Sequence, residues 1–407
     1  TIHKTLFFRE WSFYFSKNNA ICSMDDHFKC SNCGNEDPNK IGNRNGQPYC
    51  RACINFNGQK IESAKPPKAS SLHLTYNLTN EQIRISEQIL ENYKNGVDTL
   101  VNAVTGAGKT ELMFKVIDYA LDKGKKIGFV APRREVVIEI ATRFKYTFPK
   151  NEIVAIYGGH TNKLDGDIIC LTAHQLYRFE NFFDLLIFDE VDAFPYRGNG
   201  VLETFFKKSV KGQHILLSAT PSKELLILYK KSNRKIESLN VRYHGFPLPV
   251  PKVIILPKII DFIYLIFALK NLIRKGKRVF VFVPTIERCE EVFKLIKPFV
   301  KNGGFIHSKR KGKEEEIYKI KNNKIEYLIT TSVLERGVTY KDLQVIVFGA
   351  NHKIFSSETL IQISGRVGRK KESPKGEVIF IGQRKTSEIV ECISEIERKN
   401  RDLQGLF

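Results

Sequence analysis

Two short segments of the 407-residue chain carry groups suited to phosphate chemistry, and the first is a glycine-rich loop. Residues 103–110 read Ala-Val-Thr-Gly-Ala-Gly-Lys-Thr and lie between an apolar run and a helical pattern. In a phosphate-binding loop, glycines let backbone N–H groups wrap the phosphates, lysine reaches the β- and γ-phosphates, and the threonine hydroxyl ligates Mg²⁺. The general pattern has glycine where this chain has Ala103. The predicted nucleotide-binding residues of the loop are Thr105, Gly106, Ala107, Gly108, Lys109 and Thr110.

The second segment is a pair of carboxylates that follows the apolar run 184–188. Asp189 and Glu190 would stand at the carboxyl end of a strand, where open α/β sheets bind their ligands. Asp189 suits the Mg²⁺ shell, and Glu190 suits the base or orienter of an attacking water. An Asp-Glu pair is usually a solvated surface feature. Its position about 80 residues after a phosphate loop favours catalysis instead.

Four of the eight cysteines are spaced as metal ligands. Cys30 and Cys33 form one C-x2-C pair, Cys50 and Cys53 form another, and 16 residues separate the pairs. Two such pairs complete a tetrahedral zinc site with no open position, which indicates a structural role. Unrelated buried thiols are one alternative. A redox C-x2-C motif is another, but neither pair lies in a thioredoxin-like βαβ context.

Charge and composition point to an anionic partner. Lys plus Arg is 65 and Asp plus Glu is 44, so the formal charge is +21, which favours nucleic acid before an acidic membrane. With 42% hydrophobic and 27% charged residues, the chain is neither mostly disordered nor a multispan membrane protein. Cys22, Cys170, Cys289 and Cys392 are scattered, as in a reduced cytoplasmic protein. His27 and His73 are expected on the surface.

The elements that must position these residues alternate between strand and helix patterns, which predicts parallel sheets with helices on both faces. Prolines interrupt the pattern twice, at Pro66-Pro67 and at residues 247, 249, 251 and 257. We therefore expect a zinc module at 26–60 within an N-terminal region 1–60, a linker at 61–75 that separates it from the rest, a first α/β domain at 76–235, a connection at 236–260 and a second α/β domain at 261–407. Predicted strands are 99–103, 127–131, 152–156, 167–171, 184–188, 213–217, 278–283, 325–330, 344–348 and 376–381.

The motifs, taken in order, resemble those of superfamily 2 helicases and translocases over residues 78–385. Any one tripeptide is weak support, but the ordered set is specific. The matching segments are Leu78-Thr79-x-x-Gln82 (upstream element), 103–110 (motif I), 131–133 (Ia), 172–175 (Ib), 189–192 (II), 218–220 (III), 330–338 (V) and 362–369 (VI).

Within that group the chain resembles the ComFA family of late-competence DNA-uptake ATPases. The shared features are four zinc-spaced cysteines ahead of the helicase core and a motif II that continues as Asp-Glu-Val-Asp-Ala-Phe-Pro over residues 189–195. Primosomal restart helicases have similar motifs, but their zinc cysteines lie within the second half of the core.

The resemblance implies two tandem RecA-like domains around one cleft and a role for each motif residue. Gln82 would recognise adenine, Gly337 would join the nucleotide-binding set, and Gln362 would sense the γ-phosphate. Arg366 and Arg369 would act as arginine fingers, while Lys370 and Lys371 are expected on the surface. The DNA backbone would contact Pro132, Arg133, Thr172, Thr330 and Thr331.

The function implied is an ATP-dependent single-stranded DNA translocase that drives uptake of transforming DNA, using ATP, Mg²⁺ and Zn²⁺. The implied partners are single-stranded DNA, a ComFC-like protein, the membrane DNA channel and further copies of the chain. The implied location is the cytoplasm, with peripheral association at the inner face of the membrane. Two alternatives stay open, namely a duplex-unwinding restart helicase and a slow ATPase switch that serves as an adaptor. The basic segment 294–324 is either part of a nonspecific DNA track or a solvated face.

Overall fold

The structure is a computed structural model, and it describes residues 29–45, 47–61, 65–192, 196, 198–310, 312–331 and 340–404. Several sequence predictions fall outside these residues, namely those for residues 1–28 with Cys22 and His27, for 193–195 of the extended motif II, and for 332–338 of motif V with Gly337. Among the described residues, no helix is both long and apolar enough to span a membrane.

A small two-stranded antiparallel sheet comes first among the described strands, and its second strand ends at Cys50. Strands β1 (Ile41–Arg44) and β2 (Gln47–Cys50) pair so that Ile41 faces Cys50. A short 3₁₀ helix, Pro38–Lys40, leads into β1, and the Asp37 side chain caps it by accepting a hydrogen bond from the Asn39 N–H.

The first large sheet has seven parallel strands in the order β5-β6-β4-β7-β8-β3-β9. Their bounds are β3 (Thr99–Ala103), β4 (Ile127–Ala131), β5 (Ile153–Ile156), β6 (Ile168–Thr172), β7 (Phe183–Asp189), β8 (Val210–Ser218) and β9 (Lys235–Leu239). Successive strand residues enter different apolar clusters; Val101 and Phe129 join one cluster, Leu100 and Val130 the other. Both faces of the sheet are therefore covered, as parallel sheets require.

Helices α1 to α6 surround this sheet. They are α1 (Asn80–Lys94), α2 (Lys109–Leu112), α3 (Phe114–Asp122), α4 (Arg134–Thr147), α5 (Gly200–Ser209) and α6 (Lys223–Lys231), with a 3₁₀ helix at Ala173–Arg178. Helix α1 begins with a reciprocal cap, in which the Thr79 hydroxyl accepts from the Gln82 N–H and the Gln82 side chain accepts from the Thr79 N–H.

The second large sheet has six parallel strands in the order β10-β15-β14-β11-β13-β12. The strands are β10 (Lys252–Ile255), β11 (Arg278–Phe282), β12 (Gly303–Ile306), β13 (Tyr327–Thr330), β14 (Leu343–Phe348) and β15 (Val378–Gly382). The helices are α7 (Lys258–Arg274), α8 (Ile286–Ile296), α9 (Lys313–Lys321), α10 (Ser357–Ser364) and α11 (Ser387–Gln404). The chain thus has the two RecA-like parallel sheets that the motif order implied.

Two edge strands, β9 and β12, were not predicted. β9 and β10 lie at the two sides of the stretch 236–260 that was expected to be a connection, so that residues 240–251 join the two sheets. β9 is short and only half-buried, and its sequence Lys-Ile-Glu-Ser-Leu leaves little hydrophobic signal. β12 opens with Gly303, a poor strand former. A Cβ at this position would lie 2.1 Å from the Tyr327 ring, which explains the glycine.

Candidate functional site

The glycine-rich loop follows β3 and ends at α2, as the sequence predicted. Gly106 and Gly108 have φ of +85° and +83°, a left-handed backbone that favours glycine. A Cβ on Gly108 would also lie 2.4 Å from Nε2 of Gln82. Lys109 and Thr110 then begin the helix, and both line a cleft of about 750 Å³ between the two large sheets' domains.

Gln82 of α1 holds the glycine-rich loop through a hydrogen bond. Its Nε2 donates to the Ala107 carbonyl at 2.8 Å, and its Oε1 accepts from the Thr79 N–H at 2.9 Å. Ser86, one turn later in α1, donates to the Leu112 carbonyl at 3.0 Å. The amide of Gln82 is therefore engaged at both ends within the protein while it lines the cleft. Adenine recognition by Gln82 stays a prediction.

The carboxylates of motif II lie at the end of β7, in the same sheet as the strand that precedes the glycine-rich loop. Asp189 is the last residue of the strand, and Glu190 follows it with φ of +54°, which is unusual for a residue with a Cβ. Both side chains line the cleft. This turn holds the two carboxylates beside the glycine-rich loop. Asp192, two residues after Glu190, contacts the second domain.

The second domain closes the cleft through motif VI. Gln362, near the end of α10, donates from Nε2 to Asp192 Oδ2 at 3.2 Å and to Thr220 Oγ1 at 3.3 Å. Thr220 in turn donates to the same Asp192 oxygen at 3.0 Å. One carboxylate of motif II is thus linked to motif III and to motif VI, although Gln362 is 170 residues away in the chain.

The two predicted arginine fingers lie in different environments. Arg369 lines the cleft and its Nε donates to the Gly365 carbonyl at 2.9 Å. Burial lowers the pKa of Arg369, and the neighbouring Glu190 acts in the opposite direction. Arg366 is only 1% exposed and is not among the residues that line the cleft. A phosphate contact by Arg366 stays a prediction that this arrangement does not favour.

Several cleft residues carry no sequence motif and were missed. Tyr76 and Tyr243 present half-exposed rings, and His244 Nε2 donates to the Gly368 carbonyl at 2.9 Å. Burial lowers the pKa of His244. Lys371, which was expected on the surface, is exposed but also lines the cleft, and its N–H donates to the Tyr243 hydroxyl at 3.0 Å.

The four cysteines converge on one point. Their sulfur atoms all lie within 4.8 Å of one another, and the Cys30–Cys53 and Cys33–Cys50 sulfurs are each 3.7 Å apart. A tetrahedron with zinc–sulfur bonds of about 2.3 Å has edges of about 3.8 Å. Hydrogen bonds from neighbouring thiols lower the pKa of Cys30, while that of Cys33 is raised. The geometry and donor set therefore fit a closed Cys₄ zinc site.

The cysteine module packs on motif Ib rather than standing apart. Phe56 contacts the rings of Phe205, Tyr177 and His174, with centroids 5.0, 5.4 and 6.3 Å away. The Arg178 guanidinium donates to the Gln59 carbonyl at 2.7 Å. Cys30, Cys33 and Cys53 belong to the same apolar cluster as one face of the first sheet.

The described part of the predicted linker is likewise bound to the first domain. The N–H groups of Lys65, Lys68 and Ser71 donate to the side chains of Asp165, Asp167 and Asn151, and the His73 N–H donates to the Thr147 carbonyl. The described linker residues therefore pack against the first domain, and the domain boundaries stay predictions. Proline-rich composition excludes a helix, but it does not exclude an extended segment held by hydrogen bonds.

The predicted DNA-contact residues all follow or end strands at the carboxyl edges of the sheets. Pro132 and Arg133 follow β4, Thr172 ends β6, and Thr330 and Thr331 stand at the end of β13. Arg133 is half-buried, but Thr330 is fully buried and donates to the Thr331 carbonyl at 2.9 Å. Pro132, Thr172 and Thr331 are also buried, so Arg133 is the most accessible of the five, and all five roles stay predictions.

Comparison with known proteins places this arrangement among helicases. Two family models match, Type III restriction enzyme, res subunit, over residues 75–223 and Helicase conserved C-terminal domain over residues 258–371. Competence protein ComFA of Bacillus subtilis is 32% identical over 412 residues, covering 95% of this chain and 89% of that protein. Competence protein ComFA of Streptococcus pneumoniae is 33% identical over 377 residues, covering 88% and 87%.

Among solved structures, Dbp5 of S. cerevisiae bound to RNA and ADP BeF3 superposes with a TM-score of 0.59 at 17% identity. The match covers 80% of this chain and 92% of that one. At this identity the likeness supports the two-domain fold alone.

Proposed function

This chain belongs to the ComFA family of competence proteins and is an ATP-hydrolysing enzyme of the helicase class, and from that premise we propose that it translocates single-stranded DNA during uptake of transforming DNA. The observation that carries the proposal is the link from Gln362 to Asp192 and Thr220 across the cleft. A motor needs nucleotide chemistry to change how its two domains meet, and this link joins the two domains beside the catalytic carboxylates.

In the proposed hydrolysis, ATP lies in the cleft with its phosphates against the glycine-rich loop. Lys109 binds the β- and γ-phosphates, and Glu190 orients the attacking water. Arg369, from the other domain, stabilises the charge that develops on the transferred phosphoryl group. Thr110 and Asp189 would hold Mg²⁺, which supplies further charge neutralisation to the phosphate oxygens.

The DNA strand would run along the carboxyl edges of both sheets, where Arg133 and Thr172 of the first domain and Thr331 of the second lie. Backbone contacts of this kind do not read bases, so binding is independent of sequence and weakens with salt. The +21 charge supports this. A strand that spans both domains would favour the closed cleft and thereby stimulate hydrolysis.

We assign a structural zinc ion to Cys30, Cys33, Cys50 and Cys53. The support is the tetrahedral spacing of their sulfurs. Cooperation with a ComFC-like partner and the membrane DNA channel, and association with the inner face of the membrane, are also part of the proposal; they rest on the family alone.

The deciding experiment measures ATP turnover with single-stranded DNA, duplex DNA and structured RNA in parallel, with Lys109→Ala as the inactive control. Single-stranded DNA should stimulate turnover most, and different sequences should do so about equally. Strand displacement on a forked duplex would indicate the restart-helicase alternative, and turnover without movement along DNA would indicate the adaptor. An ATPase that ignores single-stranded DNA and responds to structured RNA would overturn the proposal.

A further inference from the structure

Arg242 is a buried cation in the connection between the two large sheets. It is 2% exposed, and among the residues that the structure describes it forms no ion pair. Its charge is instead met by four backbone carbonyls. Because an isolated buried charge is costly, a cation placed here must be held by the groups around it.

The four carbonyls belong to two loops on opposite sides of the cleft. Nε donates to Thr105 of the glycine-rich loop at 3.2 Å. Nη1 donates to Val367 at 2.9 Å and to Gly368 at 2.8 Å, and Nη2 donates to Gly365 at 3.2 Å, all in motif VI. One guanidinium therefore joins the loop expected to hold the phosphates to the loop that carries the arginine finger.

The Gly365 carbonyl connects Arg242 to Arg369. It accepts from Arg242 Nη2 at 3.2 Å and from Arg369 Nε at 2.9 Å. The two loops also touch at this point, since a Cβ on Gly365 would lie 2.0 Å from Thr105 Oγ1. A shift of the Gly365 carbonyl would move the Arg369 guanidinium that it holds, and Arg242 fixes that carbonyl relative to Thr105.

Only arginine has the donor geometry that this position uses. Its planar fork offers five N–H donors, whereas lysine offers three from a single atom. Burial and the nearby positive charge of Arg369 lower the pKa of Arg242 to about 9. Two cations in contact with one carbonyl repel each other, and the triphosphate of bound ATP would relieve that repulsion.

We infer that Arg242 is a positioning residue for ATP hydrolysis, which sets the place of the Arg369 guanidinium relative to the glycine-rich loop. The inference rests on the proposed function, because it needs hydrolysis assisted by Arg369. It assigns to the connection a part in catalysis that no motif of the sequence indicated.

The test is a double-mutant cycle on ATP turnover with wild type, Arg242→Gln, Arg369→Ala and the double variant. Arg242→Gln should lower kcat about 100-fold, the loss typical of a misplaced catalytic group, and leave the Kd of a fluorescent ATP analogue within about threefold. If Arg242 acts through Arg369, the double variant should be no slower than Arg369→Ala alone. Losses that multiply in the double variant would overturn the inference.

Two further variants keep the test decisive. Arg242→Lys retains the charge without the fork, and should fold with a Tm near wild type while losing most of the same turnover. A wild-type kcat in this variant would overturn the inference. Arg234→Gln is the matched control, since Arg234 precedes β9, pairs with Asp98 at 3.5 Å and lies outside the cleft lining. If Arg369→Ala itself hydrolyses ATP at the wild-type rate, the proposed role of Arg369 is wrong, and the failure belongs to the proposed function and not to the role of Arg242.

Discussion

Gln362 and Asp192 form a hydrogen bond of 3.2 Å across the interdomain cleft, and it joins motif VI to motif II. The donor comes from the amide and the acceptor is a carboxylate, so the bond belongs to the stronger class that involves a charged partner. Thr220 binds the same oxygen, which gives the carboxylate partners in both domains. Under the proposed function, this network would let a change at the nucleotide reach the second domain.

Gln362→Glu should uncouple the domains, because it replaces a donor with a second carboxylate against Asp192. The charged hydrogen bond contributes about 1.5–3 kcal/mol, so turnover stimulated by single-stranded DNA should fall about 10- to 100-fold. Steady-state ATPase assays with and without DNA measure this. Gln88→Glu on α1, at a half-buried side chain that accepts from Arg84 Nη1 at 3.2 Å, is the matched control. If single-stranded DNA stimulated ATP turnover by Gln362→Glu as strongly as by wild type, this hydrogen bond would not couple the two domains.

Glu190→Gln should retain nucleotide binding and lose hydrolysis. The change keeps the shape of the side chain and removes the carboxylate that orients water, so kcat should fall about 100-fold or more while the Kd of an ATP analogue stays within about threefold. Glu87→Gln, 58% exposed on α1, should behave as wild type. Hydrolysis at the wild-type rate by Glu190→Gln would contradict the assigned role.

Cys33→Ser should release the zinc ion and destabilise the first domain. Cys33 is 1% exposed and lies in the same apolar cluster as the first sheet, so the loss of metal reaches beyond the module. We expect one zinc per chain in the native protein, none in the variant, and a Tm lower by at least about 5 °C. Metal analysis and thermal unfolding measure both. Native protein purified without chelator that holds no zinc would exclude the site.

Phe56→Ala should weaken DNA binding more than nucleotide binding. Phe56 supports the 3₁₀ helix Ala173–Arg178, which begins just after Thr172. Phe56 is half-buried, so its removal costs less than the about 3–5 kcal/mol of a fully buried ring, and the loosened helix should raise the Kd for single-stranded DNA about tenfold. Phe267→Ala, on a ring that is 64% exposed on α7, is the control. If Phe56→Ala and Phe267→Ala bound single-stranded DNA with equal affinity, Phe56 would not support the helix that follows Thr172.

Lys399→Met should change how stability depends on pH. Lys399 is 2% exposed, donates to the Ala219 carbonyl at 2.8 Å, and burial lowers its pKa. Between its folded and unfolded pKa values, the unfolded chain binds more protons, so the free energy of unfolding rises with pH in that window. The variant should lack this rise, and its stability at neutral pH should be equal to wild type or higher. Urea unfolding between pH 7 and about 10 measures the difference; parallel curves would contradict it.

The sequence predicted those parts of the site that depend on patterns within a short stretch of the chain. Strand–loop–helix order located Lys109, and the buried run before Asp189 located the carboxylates, because each pattern spans fewer than ten residues. Arg242 could not be found in this way, since its partners lie 123 to 137 residues away and are backbone atoms that leave no sequence signal. The docking of Phe56 on Tyr177 is a contact of the same long-range kind.

Two buried cations, Arg242 and Lys399, join the two domains by donating to main-chain oxygens across the interface. Replacing Val367 or Ala219 leaves the accepting carbonyl in place. In a saturation scan, substitutions at the donor positions would therefore impair the protein, whereas substitutions at these acceptor positions would be tolerated. Compensating pairs of substitutions, which reveal contacts between side chains, would not arise at these two carbonyl contacts. The interface can keep its geometry while the side chains at its acceptor positions diverge between relatives.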